Sequence, residues 1–145
     1  MYRINPYLNF NGDCAEAFRF YQRLFGAPEP FVVTYGGSPI AAQMPEHVHE
    51  KVMHASLDLG QVTLMGADAV SNLPDHPEAA YAKPQGMAVA LHVEQPTEAE
   101  RLFHALAEGG SVQMPIAETF WAQRFGMCTD RFGIPWMINC SQPQG

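Results

Sequence analysis

The sequence predicts an α+β fold of two tandem βαβββ modules, each a cupped mixed β-sheet with one helix on its outer face. Three observations carry this expectation. The order strand, helix, strand, strand, strand occurs twice along the 145 residues. The two helical stretches share their apolar spacing, Ala17, Tyr21 and Leu24 in the first against Ala99, Phe103 and Leu106 in the second. The chain closes on an aromatic-rich hairpin, Ile116 to Cys140, that holds both tryptophans. Together these imply an internal duplication of about 70 to 80 residues. The whole of 1–145 then reads as a single domain, with one module at about 1–70, a linker at about 68–86 and a second module at about 87–141.

In the first module, Ile4, Pro6, Leu8 and Phe10 alternate with Asn5, Tyr7 and Asn9, the period of a strand. Asn11-Gly12-Asp13 breaks it, and Asp13 with Glu16 forms a capping-box pattern ahead of a helix to Phe25, which Gly26 stops. Glu29 to Tyr35 is rich in β-formers. A long connection over 36–50 follows, of no evident role. Lys51 to Leu59 alternates again, with Val52, His54, Ser56 and Asp58 against Met53, Ala55, Leu57 and Leu59. Gly60 turns it into a returning strand, Gln61 to Ala67. Prolines, aspartates, Asn72 and His76 mark 68–85 as an exposed linker.

The second module opens with a strand from Met87 to Val93. Thr97 is placed to cap a helix whose first turn carries Glu98 and Glu100, where the helix dipole favours negative charge. Gly109-Gly110 ends it, and Ser111 to Ala117 is a strand. The closing hairpin turns at Thr129–Gly133, with Asp130 and Gly133 supplying the turn chemistry. Each module has one helix to cover one sheet face. The other face must be buried elsewhere, most economically where sheets of two halves enclose a groove, within one chain or across two.

Composition narrows the function classes. The net charge is −7 and only two residues are lysines, Lys51 and Lys83, so the clustered basic surface that a phosphate backbone needs is missing. Cys14, Cys128 and Cys140 are odd in number and match no metal or disulfide spacing, which fits buried thiols in a reducing compartment. No stretch approaches the roughly 20 apolar residues of a membrane span, and the first residues show no signal-peptide run. The expected location is cytoplasmic, with neither nucleic acid nor membrane as partner.

Some stretches resemble a known family. Pro6-Tyr7-Leu8-Asn9-Phe10, the helix ending Phe20-Tyr21-Gln22-Arg23-Leu24-Phe25-Gly26, the hairpin from His54 to Met65, Glu118-Thr119-Phe120-Trp121-Ala122 and Asp130 to Asn139 are similar to the vicinal oxygen chelate superfamily of glyoxalases, bleomycin-resistance proteins and extradiol dioxygenases, and within it to the PhnB-like branch. The resemblance spans nearly the whole chain. It implies cupped sheets assembled as a homodimer. In metal-using members it implies His, Glu or Gln ligands on the first and last strands of both modules. Those places fall near Pro6, Met65, Ala88 and Met137, and shifts of one or two residues bring in only Asn5, Gly66, Met87, Ile138 or Asn139. None is the imidazole or carboxylate that a catalytic divalent ion needs. No cofactor is therefore expected. Relatives of this branch have been called demethylubiquinone methyltransferases, but this chain has no glycine-rich strand-to-helix turn for a methyl-donor nucleotide.

The candidate site residues follow from faces and chemistry. Trp121, Phe125, Tyr35, Met65, Met137 and Asn139 are the expected lining of a groove for a small apolar or aromatic molecule, since aromatic and methionine walls adapt to such ligands. A core or dimer-interface role explains Trp121 as well. His54 is the catalytic candidate, because imidazole is the side chain that ordinarily titrates near neutral pH. A structural histidine bonded across the sheet is the alternative. Were a metal bound, His54, His92 and Glu118 would be its ligands. Glu118 reads equally as a partner of Arg124 or Arg131. Glu46-His47-Val48-His49-Glu50 has two imidazoles at a chelating spacing, and a polar loop accounts for them too. The leading functional expectation is a metal-free binding protein that sequesters or senses its ligand. The alternatives are a lyase or isomerase using His54, and an interaction protein with filled cups.

Overall fold

Alternating residues at the start of the chain build an edge strand, and the structure is that of two compact units, Met1–Ala82 and Lys83–Gly145. The computed structural model describes residues 1–70 and 79–143. In the first unit the elements are β1 (Tyr7–Phe10), α1 (Cys14–Phe25), β2 (Phe31–Thr34), β3 (Val52–Asp58) and β4 (Thr63–Asp68), with sheet order β1-β4-β3-β2. β1 runs parallel to β4, pairing Leu8 with Gly66 and Phe10 with Asp68. The other two pairs are antiparallel. Period two then sends Leu8, Phe10 and Leu64 under the helix, where Ala17, Phe18, Tyr21 and Leu24 meet them in the buried core. Tyr7, Asn9, Met65 and Ala67 stand on the opposite face.

Gly66 is what lets α1 lie this close. A β-carbon there would sit 2.7 Å from the carbonyl oxygen of Leu8 and 3.0 Å from the Phe18 ring. The second unit uses the same device. A β-carbon on Gly126 would meet the Phe103 ring at 2.9 Å.

The second unit repeats the plan with β5 (Val89–Val93), α2 (Pro96–Ala107), β6 (Ser111–Ala117), β7 (Ala122–Thr129) and β8 (Pro135–Ser141), in the order β5-β8-β7-β6. β5 is parallel to β8, as β1 is to β4. Trp136, Ile138 and Cys140 of β8 are buried, as are Ala99, Leu102, Phe103 and Leu106 of α2. The chain therefore consists of two βαβββ modules with matching sheets.

Local details depart from the sequence reading at several places. β1 begins at Tyr7 rather than Ile4, whose side chain is exposed. The Asp13 side chain makes no capping bond to α1. Instead the carboxylate of Asp68, across the sheet, accepts the Cys14 N–H at 2.9 Å. Thr97 is not a cap either. α2 starts two residues earlier, at Pro96 with Gln95 as its N-cap, and the missing N–H of Pro96 suits a first turn. Val52 is buried although it was placed with His54 on one face, because the β2–β3 register slips between Val33 and Thr34. Asp68 belongs to β4, and the linker's 71–78, with Asn72 and His76, lies outside the described residues.

Candidate functional site

The face of the first sheet opposite α1 is where chemistry gathers. Tyr7 pairs with Met65 and Asn9 with Ala67, so these four side chains share it. Ser56 pairs with Met65, which places His54, two residues back on β3, on the same side. The His54 ring stands 6.0 Å from that of Tyr7. At one end of this face Tyr7, Asn9, Tyr35, Met53, Asp68 and Val70 line a cavity of about 340 Å3. Tyr35 is held there by its N–H, which donates to the Lys51 carbonyl at 3.0 Å.

Asp68 is the buried charge of this region, only 4% exposed. One carboxylate oxygen takes the Cys14 N–H, and the other takes the Val52 N–H at 2.8 Å. It therefore ties the helix start and the β3 start to β4. Burial, with the Asp68 charge second, raises the Tyr35 phenol above its ordinary value. Burial also raises Tyr7, with smaller contributions from Cys14 and Tyr35. Both phenols therefore stay neutral at physiological pH and keep their O–H. The Cys14 thiol is pushed up strongly by burial and then by Asp68, which leaves it unreactive.

In the second unit the corresponding face carries Ala90 beside Met137, His92 beside Asn139, and Phe125 beside Asn139 on the other strand neighbour. Asn139 Nδ2 lies 3.4 Å from His92 Nδ1. Trp121 lies in the β6–β7 hairpin loop, just before β7. It is 46% exposed, with the Phe120 ring 4.7 Å and the Phe125 ring 5.4 Å away, both edge to face. Glu118 is exposed in the same loop. Its expected pairing with Arg124 is not made. Arg124 donates to Glu100 of α2 at 2.9 Å. Arg131 sets its guanidinium over the Phe132 ring.

Comparison with known proteins decides the family. Residues 3–138 match the family model described as the Glyoxalase/Bleomycin resistance protein/Dioxygenase superfamily. The chain belongs to this superfamily. It is 34% identical to Protein YjdN of Escherichia coli K12, covering 97% of both chains. The crystal structure of protein PA1353 from Pseudomonas aeruginosa is similar at 46% identity and TM-score 0.84, over 99% of this chain and all of that one. A PhnB protein from Bacillus cereus, described as a putative 3-demethylubiquinone-9 3-methyltransferase, shares the fold at 22% identity and TM-score 0.70, with 97% of this chain covered and 100% of that one.

Superfamily members that use a metal hold it on the first and last strands of their modules. Strand register places the side chains facing each other there as Tyr7 with Met65, and Ala90 with Met137. Pro6 and Ala88, the sequence-derived positions, both precede their strands. A phenol, two thioethers and a methyl group do not suit a hard divalent ion. Within neither unit do three His, Cys, Asp or Glu side chains converge among the described residues. His54 belongs to the first unit, and His92 and Glu118 to the second. The His49 ring is committed elsewhere: its Nε2 lies 2.9 Å from the Ala41 carbonyl and 3.0 Å from that of Met44, stitching the 36–50 loop together.

Of the expected ligand-lining residues, Tyr35 and Met65 lie in the first unit, and Trp121, Phe125, Met137 and Asn139 in the second. Sequence reasoning missed Tyr7, Asn9 and Met53 as cavity walls. Alternation had already put Tyr7 and Asn9 on the polar face of β1, which was the available signal. Met53 carried none, because its place depends on the register slip in β2–β3.

Proposed function

We propose that the protein binds a small organic molecule in the cavity of its first unit, without a metal ion. The observation that carries this reading is the cavity itself. Its volume of about 340 Å3 falls in the range of small-ligand sites, roughly 300 to 1,000 Å3. Its walls combine two phenol rings, a thioether and the Asn9 amide, a lining of mixed polar and apolar surface. The exposed Trp121 and Phe120, with Phe125, support a second contact surface for an aromatic ligand on the other unit.

The test is a fragment screen by calorimetry on the full chain, repeated with Tyr35→Ala and Asn9→Ala. A hit whose affinity falls about tenfold in either variant, a loss of about 1.4 kcal/mol, supports the site. Hits that bind both variants as well as the parent would remove the cavity from consideration.

An enzymatic reading rests on the His54 ring beside Tyr7, a base next to a neutral phenol. It predicts that His54→Ala abolishes turnover of a bound compound while leaving its affinity within about twofold. Unchanged turnover in that variant would leave binding alone. Association into a homodimer is supported by the exposed Phe31, Phe120 and Trp121 side chains, and sedimentation that gives a monomer at micromolar concentration would sink it.

A further inference from the structure

We infer that the occupant of the first unit's cavity is an uncharged molecule whose polar end is a carbonyl, amide or hydroxyl group, met by the uncommitted polar side chains of the wall, Tyr7, Asn9 and Tyr35. The inference rests on the reading of this cavity as the binding site, and names the head group that the site selects.

Unused hydrogen-bonding groups are the first argument. Tyr7 and Asn9 leave β1 on the face opposite α1, beside Met65 and Ala67, and Tyr35 lines the same cavity. Among the described residues, the two phenol hydroxyls and the Asn9 amide bond to no protein group. Other polar side chains of this unit are spent on the fold. Asn5 Oδ1 accepts the Thr63 N–H at 3.0 Å, and the Ser38 hydroxyl donates to the Tyr35 carbonyl at 2.7 Å. Each phenol keeps its O–H at neutral pH, and the amide offers donors and an acceptor. A ligand oxygen is the group that completes such a wall.

Charge is the second argument. Among the described residues that line the cavity there is no Lys, Arg, His or Glu, and Asp68 is the one acid. Its carboxylate belongs to the other side of the sheet. Asp68 pairs with Phe10, which is buried under α1, its two oxygens take the Cys14 and Val52 N–H groups, and it is 4% exposed. An ion entering the cavity gives up water without meeting an opposite charge, whereas a neutral oxygen exchanges water for a phenol or an amide. The rest of the wall adds no charge. Ala79, Ala80 and Ala82 present methyl groups, and the Val70 N–H fastens this segment to β4 by donating to the Ala79 carbonyl at 2.9 Å. The hydrocarbon part of the ligand packs there.

The experiment is isothermal calorimetry on the full chain with benzamide, benzamidinium and benzoate, which share one shape and differ in charge. Parent, Tyr35→Phe and Asn9→Asp are compared, with circular dichroism as the check on folding. Benzamide is expected to bind about tenfold more tightly than benzamidinium. Benzoate should be weakest, because the net charge of −7 opposes it as well. Tyr35→Phe removes only a hydroxyl and should weaken benzamide about fivefold. Asn9→Asp puts a carboxylate of the same shape at an exposed position, and benzamidinium should then bind more tightly than benzamide. If either ion binds the parent as tightly as benzamide and is weakened by Tyr35→Phe, the cavity stands as the site and the uncharged head group is overturned. An order of affinities that Asn9→Asp leaves unchanged overturns it too, since the charge of this wall then does not set the choice. Benzamide binding that ignores both substitutions removes the cavity and the proposal together. A parent that binds no benzamide overturns the proposal alone, and the fragment screen above then decides the site.

Discussion

The indole nitrogen of Trp136 donates to the carboxylate of Asp130 at 2.8 Å, across the β7–β8 turn, and both residues are buried. The other Asp130 oxygen accepts the N–H groups of Phe132 and Ile134 at 2.9 and 3.0 Å. One side chain thus closes the turn and anchors the largest core residue of β8. Asp130→Ala leaves three donors without their acceptor and is expected to destabilise the protein by about 3 kcal/mol. Trp136→Phe, which keeps the turn, should lose one bond and part of the buried indole, about 2 kcal/mol. Urea unfolding measures both. A cost below about 0.5 kcal/mol for Asp130→Ala would show that the turn holds without it.

Close packing over Gly66 gives a second prediction. Its missing β-carbon lies within 2.7 Å of a backbone oxygen, which cannot rotate away. Gly66→Ala should cost about 2 kcal/mol through displacement of β1 or α1, despite the better conformational entropy of alanine. A stabilised variant would show that the helix can lift freely.

Thiol titration supplies a pH dependence. Burial, with Asp130 second, raises Cys128 from its ordinary value to about 11. Between its unfolded value near 9 and that folded value, the unfolded chain releases the proton while the native one keeps it. The stabilisation is therefore complete below about pH 9 and lost as pH rises towards 11. The urea midpoint should fall across this window, and less steeply in Cys128→Ala. Equal slopes would assign the loss to other groups, Tyr7 and Tyr35 first, since both phenols are raised as well.

Trp121 offers the sharpest separation of core from surface. Being half-exposed in a hairpin loop, it should tolerate Trp121→Ala with less than about 1 kcal/mol of stability lost. Affinity for an aromatic probe is the quantity expected to fall. A large loss of stability would return Trp121 to the core.

Much of the fold was legible in local pattern. Leu8 and Phe10 against Tyr7 and Asn9, or Ala17 against Tyr21 and Leu24, state which side of an element is buried, because period and burial are coupled along a few residues. Gly26 ends α1 in the left-handed conformation that its sequence position announced, with φ of 63°. The turn at Asp130 was legible for the same reason: its bonds span only a few residues.

The sequence by itself determined the element order, its repetition and the superfamily. Only the tertiary structure decided which carboxylate caps α1. Asp13 is adjacent to the helix, yet Asp68, 54 residues from Cys14, makes the bond. It alone paired Arg124 with Glu100. It also moved Met53 into the wall of a cavity with Tyr7, Asn9 and Tyr35. The reason is common to all three. Local spacing fixes the face on which a side chain emerges, whereas its partner is set by strand register and helix packing, which bring together residues that the chain itself keeps far apart.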